Sequence, residues 1–461
     1  MSGPEAANHD DPPTTGARTL QPDAGGWAAA VRADRPDPIG PVRVATRAAL
    51  ELDTDAPIVA TGHQASIWHP GILAKDLALA GMVDADPAFR PLHFIADHDA
   101  DEGGLIALPS GSGTSLRRLE WRLLPAASGR GSRDRPAGPC GSPPTGDFLP
   151  SVSDGIDAIR DAIDAARDSE NAAMQLGTAA ATLAAPRTGT IPRRSMSRLL
   201  ETPVGGWFLE RLAADPEKAA LAHDQAVDAH RRDRAELRGG RLPRGVARPL
   251  ARGATIELPL WRATPDGRVP VLAGETLDPA TLRPRALLAT AMARLVACDG
   301  FVHGLGGGVY DAAMEGWIRR WLGPEHAESL APVFVATATC RLPLEAPPFD
   351  PEGDPTRLHR LRNDPDLGRP ESNLRPRLLD AIASSPVGSP ERRAAFRALR
   401  LAIDAARLAN AEGLAATAAT VRSQAGRSVA RTIATDRTWA FPLHAAADLD
   451  DLASSIRAAF R

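Results

Sequence analysis

The sequence predicts an α/β protein with a parallel-sheet core, a helical insertion within that core and a helical arm near the carboxyl end. A short apolar run rich in β-branched residues, APIVATG at 56–62, ends in glycine and indicates a buried parallel strand. Apolar residues at helical spacing follow over 70–83, and the stretch at 90–102 is predicted to be a second strand that breaks into an acidic loop. Strand, helix and strand in this order predict a βαβ unit.

The first half of the chain is divided by changes in composition. Residues 1–40 are polar and rich in proline and glycine, which predicts a disordered or loosely attached arm. Residues 41–110 contain the βαβ unit and are predicted to be the first half of the core. Residues 111–240 are predicted to be an insertion, because they begin as a Gly-, Ser-, Pro- and Arg-rich stretch and continue as alanine-rich helical sequence.

The second half resumes the α/β pattern after the insertion and then becomes helical. Residues 241–345 hold strand-like runs, a helix over 284–297 and a glycine loop, so they are predicted to complete the core. Three segments follow: a Pro- and Asp-rich linker at 346–370, a helical arm at 371–435, and a short strand and helix at 436–461 that return to the core.

Composition excludes several classes of function. The chain has 461 residues and a formal net charge of −3, so no global basic field indicates a nucleic-acid partner. No apolar run is long enough to predict a membrane span, and the amino-terminal stretch lacks the features of a secretion signal, so we expect a cytoplasmic protein. The three cysteines lie far apart and form neither a disulfide framework nor a zinc ribbon.

Two residue types are rare enough to attract attention. Of the 54 basic residues only Lys75 and Lys218 are lysines, which indicates a coding bias against lysine. Tyr310 is the single tyrosine. Lys75 and Tyr310 both lie in segments whose other residues also indicate a functional site.

Polar residues are concentrated where three predicted strands end. Ligands bind beyond the carboxyl ends of the strands in open parallel sheets, so we expect these three loops to converge on one pocket. The first loop holds His63, Gln64, Trp68 and His69, the second Asp97, His98, Asp99 and Glu102, and the third Gly304, Gly306, Gly307, Gly308, Tyr310 and Asp311.

Each of these features also has a purely structural interpretation. Lys75 lies in the second turn of a predicted helix, where the helix dipole disfavours a positive charge unless an anionic ligand lies nearby. The lysine side chain could instead extend to solvent. His63 and His69 suit acid–base chemistry, or hydrogen bonding and capping within a loop. The glycine loop could bind a phosphate or carboxylate through its backbone amides, or it could simply form a tight turn with positive φ. His303, which precedes the loop, could either bind a ligand or pack in the core.

The acidic segment DHDADE at 97–102 invites a metal site. In an extended strand Asp97 and Asp99 point one way and His98 the other, so all three need a turn to meet. We therefore expect no metal, and favour a solvated acidic loop or a site for a substrate amine.

The two ends of the βαβ unit resemble a signature of the BshC family, the cysteine-adding enzymes of bacillithiol synthesis. The similar positions are Thr61, Gly62, His63 and Gln64 after the first strand, Pro70, Gly71 and Lys75 in the helix, Asp97, His98 and Asp99 after the second strand, and Gly306, Gly307 and Tyr310 near the glycine loop. His63 stands where the family has glutamine, and the loop GGGVYD lacks the family's Pro and Glu.

The resemblance implies a Rossmann-like, nucleotidyltransferase-like core with a coiled-coil arm, and a ligase that joins the cysteine carboxylate to an amino-sugar conjugate. ATP or ADP is the implied cofactor, with small-molecule substrates and a homodimer formed through the arm. On this hypothesis His63, His69, Lys75 and His98 are catalytic, the glycines bind an anion or nucleotide, and Gln64, Trp68, Asp97, Asp99, Tyr310 and Asp311 bind substrate. The alternatives are a non-catalytic binding protein and a metal-dependent hydrolase using His63, His69, Asp97 and Asp99.

Overall fold

The computed structural model describes residues 16–99, 103–126, 129–236, 248–252, 255–348, 354–369 and 371–461. The strands are β1 (Arg18–Gln21), β2 (Ile58–Gln64), β3 (Arg90–Ala96), β4 (Leu105–Ser110), β5 (Arg117–Arg122), β6 (Arg193–Ser195), β7 (Ala251–Arg252), β8 (Thr255–Thr264), β9 (Gly267–Leu272), β10 (Leu282–Pro284), β11 (Gly300–His303) and β12 (Val333–Ala338). The α-helices are α1 (Trp27–Arg32), α2 (Gly40–Ala49), α3 (Pro70–Ala85), α4 (Pro150–Ala165), α5 (Ala172–Thr188), α6 (Pro203–Ala214), α7 (Pro216–Glu236), α8 (Ala286–Met292), α9 (Gly307–Trp321), α10 (Pro324–Glu328), α11 (Pro355–Arg362), α12 (Leu374–Ser384), α13 (Pro390–Ala409), α14 (Ala411–Ser423), α15 (Ala425–Thr435) and α16 (Ala446–Ala458).

The core is a mixed α/β structure built on a six-stranded sheet in the order β1-β12-β11-β2-β3-β6. The five strands from β12 to β6 are mutually parallel, and β1 is antiparallel to β12. The chain builds outward from β2 through β3 to β6, and then returns to the other side of β2 to add β11 and β12. The strand order therefore reverses between β2 and β11, where parallel sheets leave a crevice beyond their carboxyl ends.

The βαβ unit predicted from the sequence is confirmed. β2 and β3 pair in parallel register from Ile58 opposite Arg90 to Gln64 opposite Ala96. α3 joins them, begins with Pro70 in its first turn and is buried along most of its length. It packs against the sheet on one side and against α16 on the other, which explains why its apolar residues surround the helix instead of forming one stripe.

The opposite face of the sheet is covered by a large apolar cluster. Alternate residues of β2 and β3, such as Ile58 and Phe94, point into it and meet α6, α8 and α9. Trp317 of α9 lies at its centre, fully buried, with its indole nitrogen donating to the carbonyl of Ala219 at 3.0 Å. The helix predicted over 284–297 is α8, whose last turn widens into a π-helix at Ala293–Ala297.

The prediction that 241–345 only completes the core needs a correction. β8 pairs antiparallel with β7, β9 and β10, and these strands form a second sheet outside the parallel one. The error has a physical cause, because a short strand gives the same alternating pattern whether it pairs within the core sheet or in a separate hairpin.

The prediction of a disordered or loosely attached arm over 1–40 is wrong from residue 16 onward, and residues 1–15 lie outside the described part. β1 extends the parallel sheet at its β12 edge. Trp27 is fully buried and stacks on Phe334 of β12, with ring centroids 4.5 Å apart. One large aromatic residue therefore fixes a segment whose proline and glycine content suggested disorder.

The chain divides into two compact units, the first formed by residues 1–108, 119–342 and 437–461 and the second by 109–118 and 343–436. The second unit is helical. The predicted linker at 346–370 contains α11, and within the helical arm predicted over 371–435 the chain breaks at Asn410 between α13 and α14. The Asn410 amide donates to the carbonyls of Leu367 and Ala406 at 3.0 and 2.8 Å, so it satisfies the local backbone at the break.

The carboxyl-terminal segment belongs to the first unit. The helix predicted there is α16, but the predicted short strand is a 3-10 turn at Phe441–Leu443. Pro442 in this turn lacks a donor for strand pairing, whereas the Phe441 amide donates to the carbonyl of Trp68 at 2.6 Å. Among the described residues, no helix is both long and apolar enough to cross a bilayer.

Candidate functional site

A cavity of about 590 Å³ lies in the first unit, at the carboxyl ends of β2, β3 and β11. This is the place where the strand order reverses, and a space of this size suits a small organic ligand. Ten of the predicted residues line it: His63, Gln64, His69, Lys75, His98, Asp99, Gly304, Gly306, Gly307 and Tyr310. The three loops predicted to converge do reach one cavity.

Three predicted residues lie behind the lining. Trp68 is buried, stacks on His93 with ring centroids 4.7 Å apart, and donates to the carbonyl of Gln64. Asp97 accepts hydrogen bonds from the Ser195 hydroxyl and the Ser197 amide, so its carboxylate holds β6 to β3 and is not available to a ligand. This corrects the expectation that Asp97 and Trp68 contact substrate.

Asp311 is the third residue that does not line the cavity. Its Oδ2 accepts from Arg294 at 2.9 Å and contacts the His303 ring at 2.8 Å, and it is 2 % exposed. Its role is therefore to hold neighbouring side chains. Gly308 belongs to the first turn of α9, and Glu102 lies outside the described residues.

Lys75 is the most unusual cation of the cavity wall. Its Nζ donates to the carbonyl of Gly62, at the end of β2, across 2.6 Å. Burial lowers the pKa of this amine from 10.5 to about 8, although Asp76 partly opposes the shift. The alternative in which Lys75 extends to solvent is wrong, because the side chain is 2 % exposed.

A buried ionic cluster lies directly behind Lys75. Asp76 contacts His93 Nδ1 at 2.7 Å and accepts from Arg193 at 2.8 Å. Burial raises the pKa of Asp76, but the nearby His93 and Arg193 outweigh burial and leave it below its ordinary value. Burial lowers the pKa of His93 to about 4, so its ring is neutral at pH 7 and donates Nδ1–H to the carboxylate. His93 is 1 % exposed and therefore belongs to the core.

The two histidines of the first loop have different surroundings. Burial, followed by the charge of Lys75, lowers the pKa of His63 well below 6.5, so the ring is neutral at pH 7. His69 is the N-cap of α3, and its Nδ1 accepts from the Gly71 amide at 3.1 Å. The capping interpretation of His69 is therefore confirmed, while both rings still reach the cavity.

The glycine loop leads from β11 into α9 without a left-handed turn at its centre. Gly306 has φ −70°, which any residue can adopt, so positive φ does not explain it. Gly307 is required for space, because a Cβ there would lie 2.3 Å from His303 Nδ1. The loop is thus shaped around His303, a residue that lines the cavity.

The second sheet supplies a wall that the sequence did not predict. Trp261 of β8 lines the cavity with Arg285 and Arg268, whose guanidinium carbons lie 4.2 and 4.7 Å from its ring centroid. Arg285 is 6 % exposed and donates to Glu257 at 2.8 Å, yet its buried Nε and Nη1 have no hydrogen-bond partner among the described residues. Donors in that condition are costly and favour an anionic ligand nearby.

Charge is unevenly distributed over the lining. Cations reach it from four places, and the carboxylate of Asp99 accompanies them. Asp99 accepts from the Gln64 amide at 3.3 Å and lies 3.9 Å from Arg268. The lining cations are Lys75, Arg268, Arg285 and Arg437. The excess of positive charge fits a negatively charged small molecule.

Sequence reasoning missed Trp261, Arg268, Arg285 and Arg437. These residues come from a hairpin, a helix start and a segment beyond the helical arm, and none of them follows a core strand. The only local signal was the arginine directly before α8, which is Arg285. Within the described residues no group of three or more His, Cys, Asp or Glu side chains is placed to hold a metal ion.

No protein-family model matches the chain, and no curated protein matches it.

Proposed function

We propose that the chain is a BshC-like carbon–nitrogen ligase with a Rossmann-like core, and that it binds an anionic substrate in the cavity at the end of β2. The observation that carries this proposal is the lining itself, where Lys75 and three arginines face a space beside the strand-order reversal. Five parallel strands built outward from a central strand are the arrangement that nucleotide-binding α/β folds use.

The cationic wall accounts for the negative groups of such a reaction. A carboxylate, or the phosphates of ATP or ADP, would lie between Lys75 and Arg285, whose spare donors fit an anionic oxygen. A bound nucleotide would supply the phosphoryl or adenylyl group that activates the carboxylate. The chain's own contribution is to hold both partners in one small volume and to neutralise charge.

Among the described residues that line the cavity, one carboxylate, that of Asp99, can meet the acceptor amine. Asp99 is oriented by Gln64, and its partly exposed side chain can pair with an ammonium group. We therefore assign to Asp99 alone the role first given to Asp97 and Asp99 together. The rings of His63 and His69, both from the loop after β2, add polar groups to the lining.

The experiment uses the two lysines of the chain as a matched pair. Lys75→Met removes the buried ammonium, and Lys218→Met removes an exposed one on α7. We would incubate each full-length protein with ATP, cysteine and glucosaminyl malate, and follow the amide product by mass spectrometry and ligand binding by calorimetry.

The wild type and Lys218→Met should form the amide, and Lys75→Met should lose at least about 100-fold in rate. If the wild type binds nucleotide or amino acid but forms no amide with any of a panel of amines, the result would favour the alternative of a non-catalytic binding protein over a ligase. Equal rates for both lysine variants would mean that Lys75 has no role in the reaction.

A further inference from the structure

His303 and Asp311 form a buried pair at the edge of the cavity. His303 ends β11, Asp311 lies in the second turn of α9, and the ring Nε2 is 2.8 Å from Asp311 Oδ2. Arg294 donates to the same carboxylate at 2.9 Å and reaches Glu315 at 2.6 Å. Burial raises the pKa of Asp311, but the hydrogen bonds from His303 and Arg294 and the charge of Arg294 outweigh burial and hold that pKa below its ordinary value, so the carboxylate is ionised and orients the ring.

The other ring nitrogen is directed toward the glycine loop. With Nε2–H donated to Asp311, Nδ1 carries the lone pair of a neutral ring. The ideal Cβ of a side chain at Gly307 would lie 2.3 Å from Nδ1, whereas one at Gly306 would meet nothing within 4 Å. The absence of a side chain at 307 is therefore what leaves room at Nδ1.

The geometry points to His303 as the proton acceptor of this cavity, with Nδ1 as the reacting atom and Asp311 as its positioning residue. This inference rests on the proposed ligase function and adds a residue that the sequence interpretation left between ligand and core. A histidine held by a carboxylate through one nitrogen and open at the other is the arrangement that general-base catalysis requires.

In the proposed step the acceptor nitrogen loses two protons, one C–N bond forms and one C–O bond breaks. Nδ1 takes a proton from the ammonium group of the acceptor, and the freed nitrogen lone pair forms the C–N bond to the activated carboxyl carbon. The C–O bond to the activating phosphate then breaks, and the phosphate leaves with that electron pair and takes up the second proton that the nitrogen loses as the neutral amide forms. The Asp311 carboxylate stabilises the imidazolium cation that this transfer creates.

The other histidines near the first loop are less suited to this role. His69 already uses Nδ1 as the acceptor for the Gly71 amide at the start of α3. His63 has no carboxylate among its described hydrogen-bond partners and faces the charge of Lys75. Of these three rings, only His303 combines a carboxylate partner with a place in the cavity lining.

The first test does not depend on turnover. Diethyl pyrocarbonate acylates accessible, unprotonated imidazole nitrogen, and peptide mass spectrometry locates the modified histidine. We expect His303 to be labelled in the wild type and in Gly306→Ala, and to lose at least about five-fold in labelling in Gly307→Ala, whose Cβ occupies the space at Nδ1. ATP at saturating concentration should slow the labelling. An unlabelled His303 in the folded wild type, or equal labelling in both glycine variants, overturns the inference.

The second test measures catalysis. In His303→Gln the side-chain amide can still reach Asp311 in place of Nε2, but no base remains at Nδ1. The control is His223→Asn, since His223 is also buried and contacts the carboxylate of Asp224 at 2.9 Å through Nδ1, but lies outside the cavity lining.

We expect His303→Gln to lose about 100-fold or more in kcat with ligand affinity changed less than about three-fold, and the control to keep its kcat. Asp311→Asn should lower kcat with KM unchanged, and imidazole in the buffer should partly restore His303→Ala. Full kcat in His303→Gln overturns the inference and leaves the ligase proposal standing. A wild type that makes no amide but shows the expected labelling pattern overturns the ligase proposal and retains the open nitrogen at His303.

Discussion

The ammonium group of Lys75 donates a hydrogen bond to the carbonyl of Gly62 across 2.6 Å, and so joins the second turn of α3 to the end of β2. The carbonyl lies near the carboxyl end of a strand that is paired on both sides, so the lysine binds the carboxyl end of the sheet and at the same time faces the cavity. A charge in this position is poorly solvated, and this has consequences that can be measured.

The first prediction concerns the titration of Lys75. Burial lowers its pKa to about 8, so the amine should lose its proton just above neutral pH. Because the chain has two lysines, lysine-selective ¹³C labelling should give two Cε signals in an NMR titration, and Lys218→Met assigns them. A midpoint near 8 for the remaining signal fits this description, and a midpoint at 10.5 contradicts it.

The second prediction is the effect of this pKa on stability. The folded protein releases the Lys75 proton near pH 8, while the unfolded chain keeps it up to about pH 10.5. Between these values the unfolded state binds more protons, so the free energy of unfolding should rise with pH. Relative to Lys75→Met, the wild type should gain on the order of 3 kcal/mol from pH 8 to pH 10.5 in urea titrations. A stability difference that stays constant or falls with pH would contradict a lowered pKa of Lys75.

The third prediction concerns the ionic cluster behind Lys75. Asp76→Asn removes the only carboxylate that the structure shows beside both His93 and Arg193, and it should destabilise the protein by about 3 to 5 kcal/mol. The matched change is Asp157→Asn on α4, whose partner Arg160 is largely exposed, and it should cost less than about 0.5 kcal/mol. Similar urea midpoints for the two variants would mean that the buried pair contributes little.

The fourth prediction concerns the homodimer expected through the helical arm. Leu401 and Leu408 lie seven residues apart on α13, so they share one face, and they are 71 % and 82 % exposed. If a second copy covers this face, Leu401→Glu with Leu408→Glu should convert a dimer into a monomer in light scattering after size-exclusion chromatography. Val44→Glu, at an exposed position on α2, should not. A monomeric wild type would contradict the homodimer expected through the helical arm.

The part of the fold that the sequence predicted is the part whose signal is local. β2, α3 and β3 follow each other closely, and each carries its own apolar pattern and end signals, such as Pro70 at the start of the helix. The strands of the second sheet were assigned to the core because the sequence pattern of a strand does not show which strand it pairs with.

The candidate site was predictable to the same extent. Loop residues such as His63, His98 and Gly306 could be placed at one edge because parallel strands end together. Asp97 and Asp311 were misjudged because the residues that bind them, such as Ser197 and Arg294, lie outside the three loops, and a carboxylate is available only if nothing nearby already binds it.

The last prediction tests the wall that the sequence did not reveal. Arg285→Ala removes the guanidinium above Trp261 together with its two spare donors, while Glu257 keeps its ion pair with Arg248 at 2.7 Å. The fold should therefore tolerate the change, and affinity for ATP should fall about 10- to 100-fold in calorimetry, as expected for a charged hydrogen-bonding partner. Arg262→Ala is the matched control, since Arg262 neighbours Trp261 on β8 but pairs with Glu275 away from the lining.

Salt dependence separates a direct contact from a change of shape. If Arg285 meets an anionic group, added salt should weaken ATP binding to the wild type and to Arg262→Ala more steeply than binding to Arg285→Ala, because the variant has lost one of the charges that attract the ligand. Equal salt slopes for all three proteins, or equal affinities, would mean that Arg285 supports Trp261 and Glu257 without contacting the ligand.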